Sequence, residues 1–148
     1  MKESPFALIG DISRLARRAF DARAREIGVT RPQWQVLVML TRHEGVNQGG
    51  LAELLDVEPI TVCRMVDRLQ EADLVERRPD PADRRSWRLH LTGKAAALLA
   101  QLQPLGEQLE AEAFEGISSE EREAVLATLG RLRNNLAPRA TSKVVSNG

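Results

Sequence analysis

The sequence predicts a mainly α-helical chain with a small β-hairpin wing, a winged helix-turn-helix with further helices flanking it on both sides. Three observations lead there. Two short amphipathic segments stand on either side of the tight break Asp56-Val57-Glu58-Pro59, which is the spacing of a helix-turn-helix. Directly after them, Leu74-Val75-Glu76-Arg77-Arg78 and the alternating Trp87-Arg88-Leu89-His90-Leu91 read as strands. The stretch between these strands carries Pro79 and Pro81, which would interrupt any helix. Finally, long segments with helical apolar periodicity precede and follow the motif.

Taken in order, Ser4-Pro5 is a cap followed by proline at the first helical position, and Ile9, Ile12, Leu15, Ala16, Ala19 and Phe20 share one face through about residue 27. Thr30 with Gln33 forms a capping box for a second helix over 31–43, stopped by Gly45. Asn47 caps a short third helix to about Leu55, in which Gly49 and Gly50 each cost about 1 kcal/mol relative to alanine if they are exposed. The fourth helix starts at Pro59 or Ile60 and ends near Ala72. Its stripe of Val62, Met65, Val66 and Leu69 faces inward, leaving Thr61, Arg64 and Arg68 on the other side. Thr92 caps a long helix over 93–115 that Pro104 is expected to bend, and Ser118 with Glu121 opens a terminal helix that Pro138 ends. The polar tail 139–148 is expected to fray.

Composition narrows the function classes. At 148 residues, 43% apolar and 28% charged, the chain suits one globular domain spanning 1–148. With no apolar run of about 18 residues and no basic-then-apolar start, no membrane association is expected and the cytoplasm is the expected location. The single Cys63, with His43 and His90 far apart, offers no disulfide, no metal site and no nucleophile with its base. No phosphate-binding glycine loop is present either. Neither an enzyme nor a cofactor is expected.

The formal net charge is zero, yet its distribution is uneven. Residues 1–31 carry seven basic and four acidic side chains, whereas 92–137 carry four and seven. Residues 58–91 hold seven of each, so any contact with a polyanion there depends on where individual arginines are held. A helix with short and basic side chains near its start can enter a major groove, and a loop with adjacent arginines can reach a minor groove or phosphates. Arginine suits both because its rigid fork matches guanine O6 and N7 or two phosphate oxygens.

The stretch from Leu51 to Leu69, followed by Leu74-Val75-Glu76-Arg77-Arg78, Asp80-Pro81-Ala82-Asp83-Arg84-Arg85 and Leu91-Thr92-Gly93-Lys94, closely resembles the MarR family of bacterial transcriptional regulators. The resemblance in organisation extends over about residues 6–137. It implies a homodimer joined through helices in 5–28 and 93–137, with a DNA-binding region at 46–91. It also implies a double-stranded, pseudo-palindromic operator and repression relieved by a small aromatic or anionic effector. A ligand-independent repressor of the same fold is the alternative.

Ile60, Thr61, Cys63, Arg64, Arg68, Arg84 and Arg85 are then the expected DNA-facing residues. Arg64 is assigned to base reading, Arg68 to phosphate, and Arg85 to the groove beside the wing. Ile60 either meets a thymine methyl or fills the turn. The resemblance also favours a bridge from Asp83 to Arg64 or to a wing arginine. Arg17, Phe20, Trp34, Val38 and His43 are plausible surroundings of an effector, although Trp34 equally suits a core position and His43 a helix end. Asp56 and Asp73 stand where the family often has glycine, and Asp tolerates the left-handed backbone better than most residues. Cys63 is not expected to be a redox sensor, since a lone thiol is not one by default.

Overall fold

The structure, a computed structural model, describes residues 2–138, so the tail 139–148 lies outside the described residues. Its elements run α1 (Pro5–Glu26), α2 (Arg31–Arg42), α3 (Gln48–Leu55), α4 (Pro59–Glu71), β1 (Val75–Pro79), β2 (Trp87–Leu91), α5 (Gly93–Ala113) and α6 (Ser119–Leu136). The described residues divide into two compact units, one ending at Glu110 and the other starting at Ala111. No helix among the described residues is long and apolar enough to cross a membrane.

Local chemistry sets the helix ends of the first unit. Thr30 Oγ1 accepts from the Gln33 amide at 3.4 Å while Gln33 Oε1 accepts from the Thr30 amide at 3.0 Å, completing the capping box. Asn47 Oδ1 accepts from the Gly50 amide at 2.7 Å. That close cap explains Gly50, because a Cβ there would stand 2.7 Å from Val46 Cγ2 and 3.3 Å from Asn47 Oδ1. Ser4 holds the N-cap position of α1 without a side-chain cap bond.

Both helices of the motif end in the same way. Asp56 and Asp73 adopt left-handed backbone angles, φ +54° and +60°, and the residue after each closes back on its helix: Val57 N–H to Ala52 at 3.1 Å, Leu74 N–H to Leu69 at 2.9 Å. Leu74 is thereby part of this helix stop, which is why β1 spans Val75–Pro79 instead of 74–78. Thr92 and Lys94 tie the start of α5 to this corner. The Thr92 hydroxyl donates to the Asp73 carbonyl at 2.6 Å and accepts from the Ala95 amide at 3.1 Å, and Lys94 Nζ donates to the Ala72 carbonyl at 2.9 Å.

β1 and β2 form an antiparallel ladder in which Val75 faces Leu91, Arg77 faces Leu89 and Pro79 faces Trp87. A third, shorter edge is added by 45–47, where Gly45 N–H donates to Leu89 and Leu89 N–H to Val46. The main core unites Val36, Leu37 and Leu40 of α2 with Leu51, Val62, Val66, Leu69, Val75, Leu89 and Ala95, all buried. A smaller core of Ala24, Val29 and Leu102 is flanked by Phe20, Trp34 and Leu105. α5 continues through Pro104 as one helix. It stops at Ala113 and not 115, with the chain turning at Gly116, φ +80°.

In the second unit, Ser118 Oγ accepts from the Glu121 amide at 3.1 Å to start α6, and the Arg122 guanidinium lies 4.7 Å from the Phe114 ring centre. Leu126, Leu129 and Leu136 of α6 are exposed.

Candidate nucleic-acid interface and apolar cavity

The inward stripe of α4 is committed to the core, with Val62, Val66 and Leu69 buried. This leaves Thr61, Arg64 and Arg68 on the exposed face, with Ile60 60% exposed at the start of the helix and Cys63 half-buried. Ile60 therefore does not fill the turn as a core residue.

Of the seven arginines in 58–91, three are paired with carboxylates. Arg77 lies 2.6 Å from Asp67, Arg78 3.3 Å from Glu76 and Arg88 3.4 Å from Asp80. Arg64, Arg68, Arg84 and Arg85 have no ion-pair partner among the described residues. A segment of zero net charge thus leaves four cationic groups unneutralised by contact, on α4 and in the loop of the wing.

Arg77 is the residue that sequence reasoning missed. Its guanidinium donates to Gln48 Oε1 of α3 at 2.7 Å, and to Gln70 Oε1 at 2.7 Å and the Cys63 carbonyl at 3.4 Å, both on α4. Together with Asp67, these contacts join α3, α4 and β1, and the side chain is only 17% exposed. The available signal was its phase: Arg77 lies two residues after buried Val75 on the inward face of a strand.

The expected bridge from Asp83 to Arg64 or a wing arginine is not formed. Asp83 Oδ1 instead accepts from the backbone N–H of Arg85 at 3.0 Å, and its carbonyl accepts from Ser86 N–H at 3.1 Å, closing a turn within the loop. At the loop end of the wing it is Asp80 that pairs with an arginine, Arg88. Asp80 Oδ1 also accepts from the Ala82 amide at 2.8 Å, and that bond, followed by Arg88, holds its carboxyl below the ordinary carboxylate range despite partial desolvation.

A cavity of about 520 Å³ opens between α1, α2 and α5. Arg17, Phe20, Trp34 and Val38 all line it, together with Leu102 and Gly106, and Arg17 is its one charged side chain among the lining residues. His43 is not part of it. It sits at the C-cap of α2, exposed, where its amide closes on the Met39 carbonyl. The Phe20 and Trp34 rings meet edge to face, 4.8 Å between centres. Trp34 Nε1–H donates to Asp21 Oδ1 at 2.7 Å, and Arg31 pairs with the other carboxylate oxygen. The Arg31 contact, aided by the indole N–H, holds the Asp21 carboxyl below its ordinary range against the opposing effect of burial. Among the described residues, no group of three His, Cys, Asp or Glu side chains is placed to hold a metal ion.

A helix-turn-helix with an adjoining antiparallel wing defines the class, a winged-helix protein. Comparison with known proteins narrows it. Residues 27–86 match the MarR family. The chain is 32% identical to the transcriptional regulator PA3341 over 87% of this chain and 95% of that one, with a TM-score of 0.76. A MarR family transcriptional regulator from Silicibacter pomeroyi is 30% identical over 88% of each chain, with a TM-score of 0.77. A mutant MarR from E. coli complexed with operator DNA is 28% identical over 88% of this chain and 91% of that one, with a TM-score of 0.69. The chain belongs to the MarR family of transcriptional regulators.

Proposed function

We propose that the protein binds a pseudo-palindromic DNA operator as a homodimer, represses transcription from it, and is released by a small effector. The observation that carries the DNA reading is the set of four arginines without ion-pair partners, held on α4 and the wing by elements whose other faces are core. In this reading 46–91 is the DNA-binding region. Arg64 and Thr61 read the major groove with Ile60 and Cys63 beside them, Arg68 meets phosphate, and Arg84 and Arg85 meet the neighbouring minor groove or its phosphates. The likeness to MarR from E. coli complexed with operator DNA supports the same partner.

Dimerisation falls to 5–28 and 93–137. Phe6 is 62% exposed and Leu136 70%, and Ile12 and Leu15 of α1 and Leu126 of α6 are exposed as well. Apolar faces of this kind are usual at permanent subunit interfaces.

The cavity favours an effector-responsive repressor over a ligand-independent one. Its size lies within the usual range of small-molecule sites, about 300–1,000 Å³, and an apolar wall with one arginine suits an aromatic or aliphatic acid. Genome-fragment selection with footprinting tests the DNA reading. The expected result is a protected pseudo-palindrome whose half-sites are about one helical turn apart. A folded dimer that retains no duplex at low salt would overturn it.

A further inference from the structure

Trp87 opens β2 and pairs across the ladder with Pro79. Because strand residues alternate between faces, it shares its face with Leu89 and, across the ladder, with Val75 and Arg77. That face looks onto α4. Leu89 and Val75 belong to the same core as Val62 and Val66, and the Arg77 guanidinium reaches Cys63, Asp67 and Gln70. Trp87 therefore stands one rung beyond Arg77 on the α4 side of the wing, next in sequence to the loop that carries Arg84 and Arg85. The side chain is nevertheless 46% exposed. This large indole on the inner side of the wing is not among the residues that build either core.

We infer that Trp87 is a further DNA-contacting residue, its indole lying against the sugar–phosphate strand that separates the groove entered by α4 from the groove met by the loop of the wing. The inference rests on the DNA-binding reading above. A helix in the major groove and a loop at the adjacent minor groove necessarily straddle one backbone strand, and Trp87 lies between those two elements. The chemistry fits: an indole offers an apolar face to deoxyribose carbons and one N–H donor to a phosphate oxygen. Being uncharged, it releases no counterion. It therefore adds affinity without adding to the salt dependence, which separates it from the arginines around it.

The test uses the full chain labelled with 5-fluorotryptophan and a duplex recovered by the genome-fragment selection. The chain has two tryptophans, so the fluorine spectrum holds two signals, and Trp87→Phe identifies one of them. On saturation with duplex the Trp87 signal is expected to move and to lose its sensitivity to exchange of H2O for D2O. Trp87→Ala should bind about tenfold more weakly with an unchanged slope of log affinity against log salt, while Arg85→Ala lowers that slope by about one. An unmoved Trp87 signal, or Trp87→Ala binding as tightly as the parent, overturns the inference while leaving the DNA reading intact. Loss of affinity in Trp87→Ala with an unmoved signal and a lowered thermal midpoint assigns Trp87 to wing stability and equally overturns it. If the parent binds no duplex at low salt, the DNA reading itself fails, and the inference fails with it.

Discussion

The α4–wing surface and the wall of the α1–α2–α5 cavity each have elements tied together by one charged side chain, and the two are held in different ways. Arg77 gathers four partners from two helices and points inward from a strand. Asp21 gathers two, Arg31 and the Trp34 indole, at the edge of the smaller core. A reading surface has to present several side chains at fixed mutual angles, so a multidentate guanidinium across three elements suits it. A ligand cavity gains from walls that adjust, and one carboxylate on two helices leaves more freedom.

The largest expected effect comes from breaking the tighter of the two. Arg77→Met keeps the aliphatic stem but leaves Gln48, Gln70 and the Cys63 carbonyl without their partner, and it should destabilise the fold by about 2 kcal/mol. The exposed Asp67 contact adds little to this, since solvent screens it. Urea denaturation gives the stability change. Duplex affinity measured under folding conditions should fall further than loss of the folded population explains, because α4 and the wing lose their mutual angle. A variant that is destabilised yet, when folded, binds as tightly as the parent would show that Arg77 does not set that angle.

Next in size is the division of labour on the reading surface. Arg64→Ala should narrow the gap between operator and scrambled duplex by about 1–3 kcal/mol. Arg85→Ala should weaken both duplexes alike, and neither substitution should alter the thermal midpoint, since neither side chain has an ion-pair partner. Equilibrium binding at fixed salt checks both. Equal losses on both duplexes for Arg64→Ala would move that residue from base reading to phosphate contact.

How far each region could be read from the sequence follows from how it is built. The elements of the reading surface are local: the break at Asp56-Val57-Glu58-Pro59, the stripe Val62, Met65, Val66, Leu69 and the alternation of β2 need only near neighbours in the chain. Their placement was legible. The partner of Asp83 was not, because a carboxylate can serve either a distant arginine or its own turn, and the Arg85 amide is nearer than any guanidinium. Arg77 was hidden for a related reason: its partners lie up to 29 residues away. The cavity needs three helices to meet, and periodicity alone does not say which faces do. Resemblance supplied Arg17, Phe20, Trp34 and Val38, whereas His43 lies past the end of α2, the helix that carries Trp34 and Val38.

The cavity can be altered without touching the reading surface. Gly106 lines it, and a Cβ there would stand 3.7 Å from Phe20 Cε2, an ordinary contact. Gly106→Leu should direct its side chain into the empty space, abolish release by an effector and leave operator binding intact. Replacing a glycine within a helix should also raise stability by about 0.5–1 kcal/mol, readable as a higher urea midpoint. An operator complex of Gly106→Leu that the effector still releases would place the effector elsewhere.

The smallest effect is the one that tests whether the cavity wall is held more loosely than the reading surface. The carboxyl of Asp21 titrates below its ordinary value of 3.8 in the folded chain, chiefly because Arg31 pairs with it. A depressed native pKa means that the unfolded chain takes up the proton first as pH falls. The contribution is therefore complete above the unfolded value, fades as pH falls towards the native one, and is absent below both. Asp21→Asn removes the charge and keeps an oxygen acceptor for the Trp34 indole. Parent and variant compared by urea midpoint should differ most near pH 7 and converge as pH falls below the depressed native value. Arg31 is largely in solvent, so the gap at neutral pH should also shrink with added salt. A gap that persists unchanged at low pH and high salt would show that Asp21 acts through packing and the indole bond, which would make the cavity wall as firmly fixed as the reading surface.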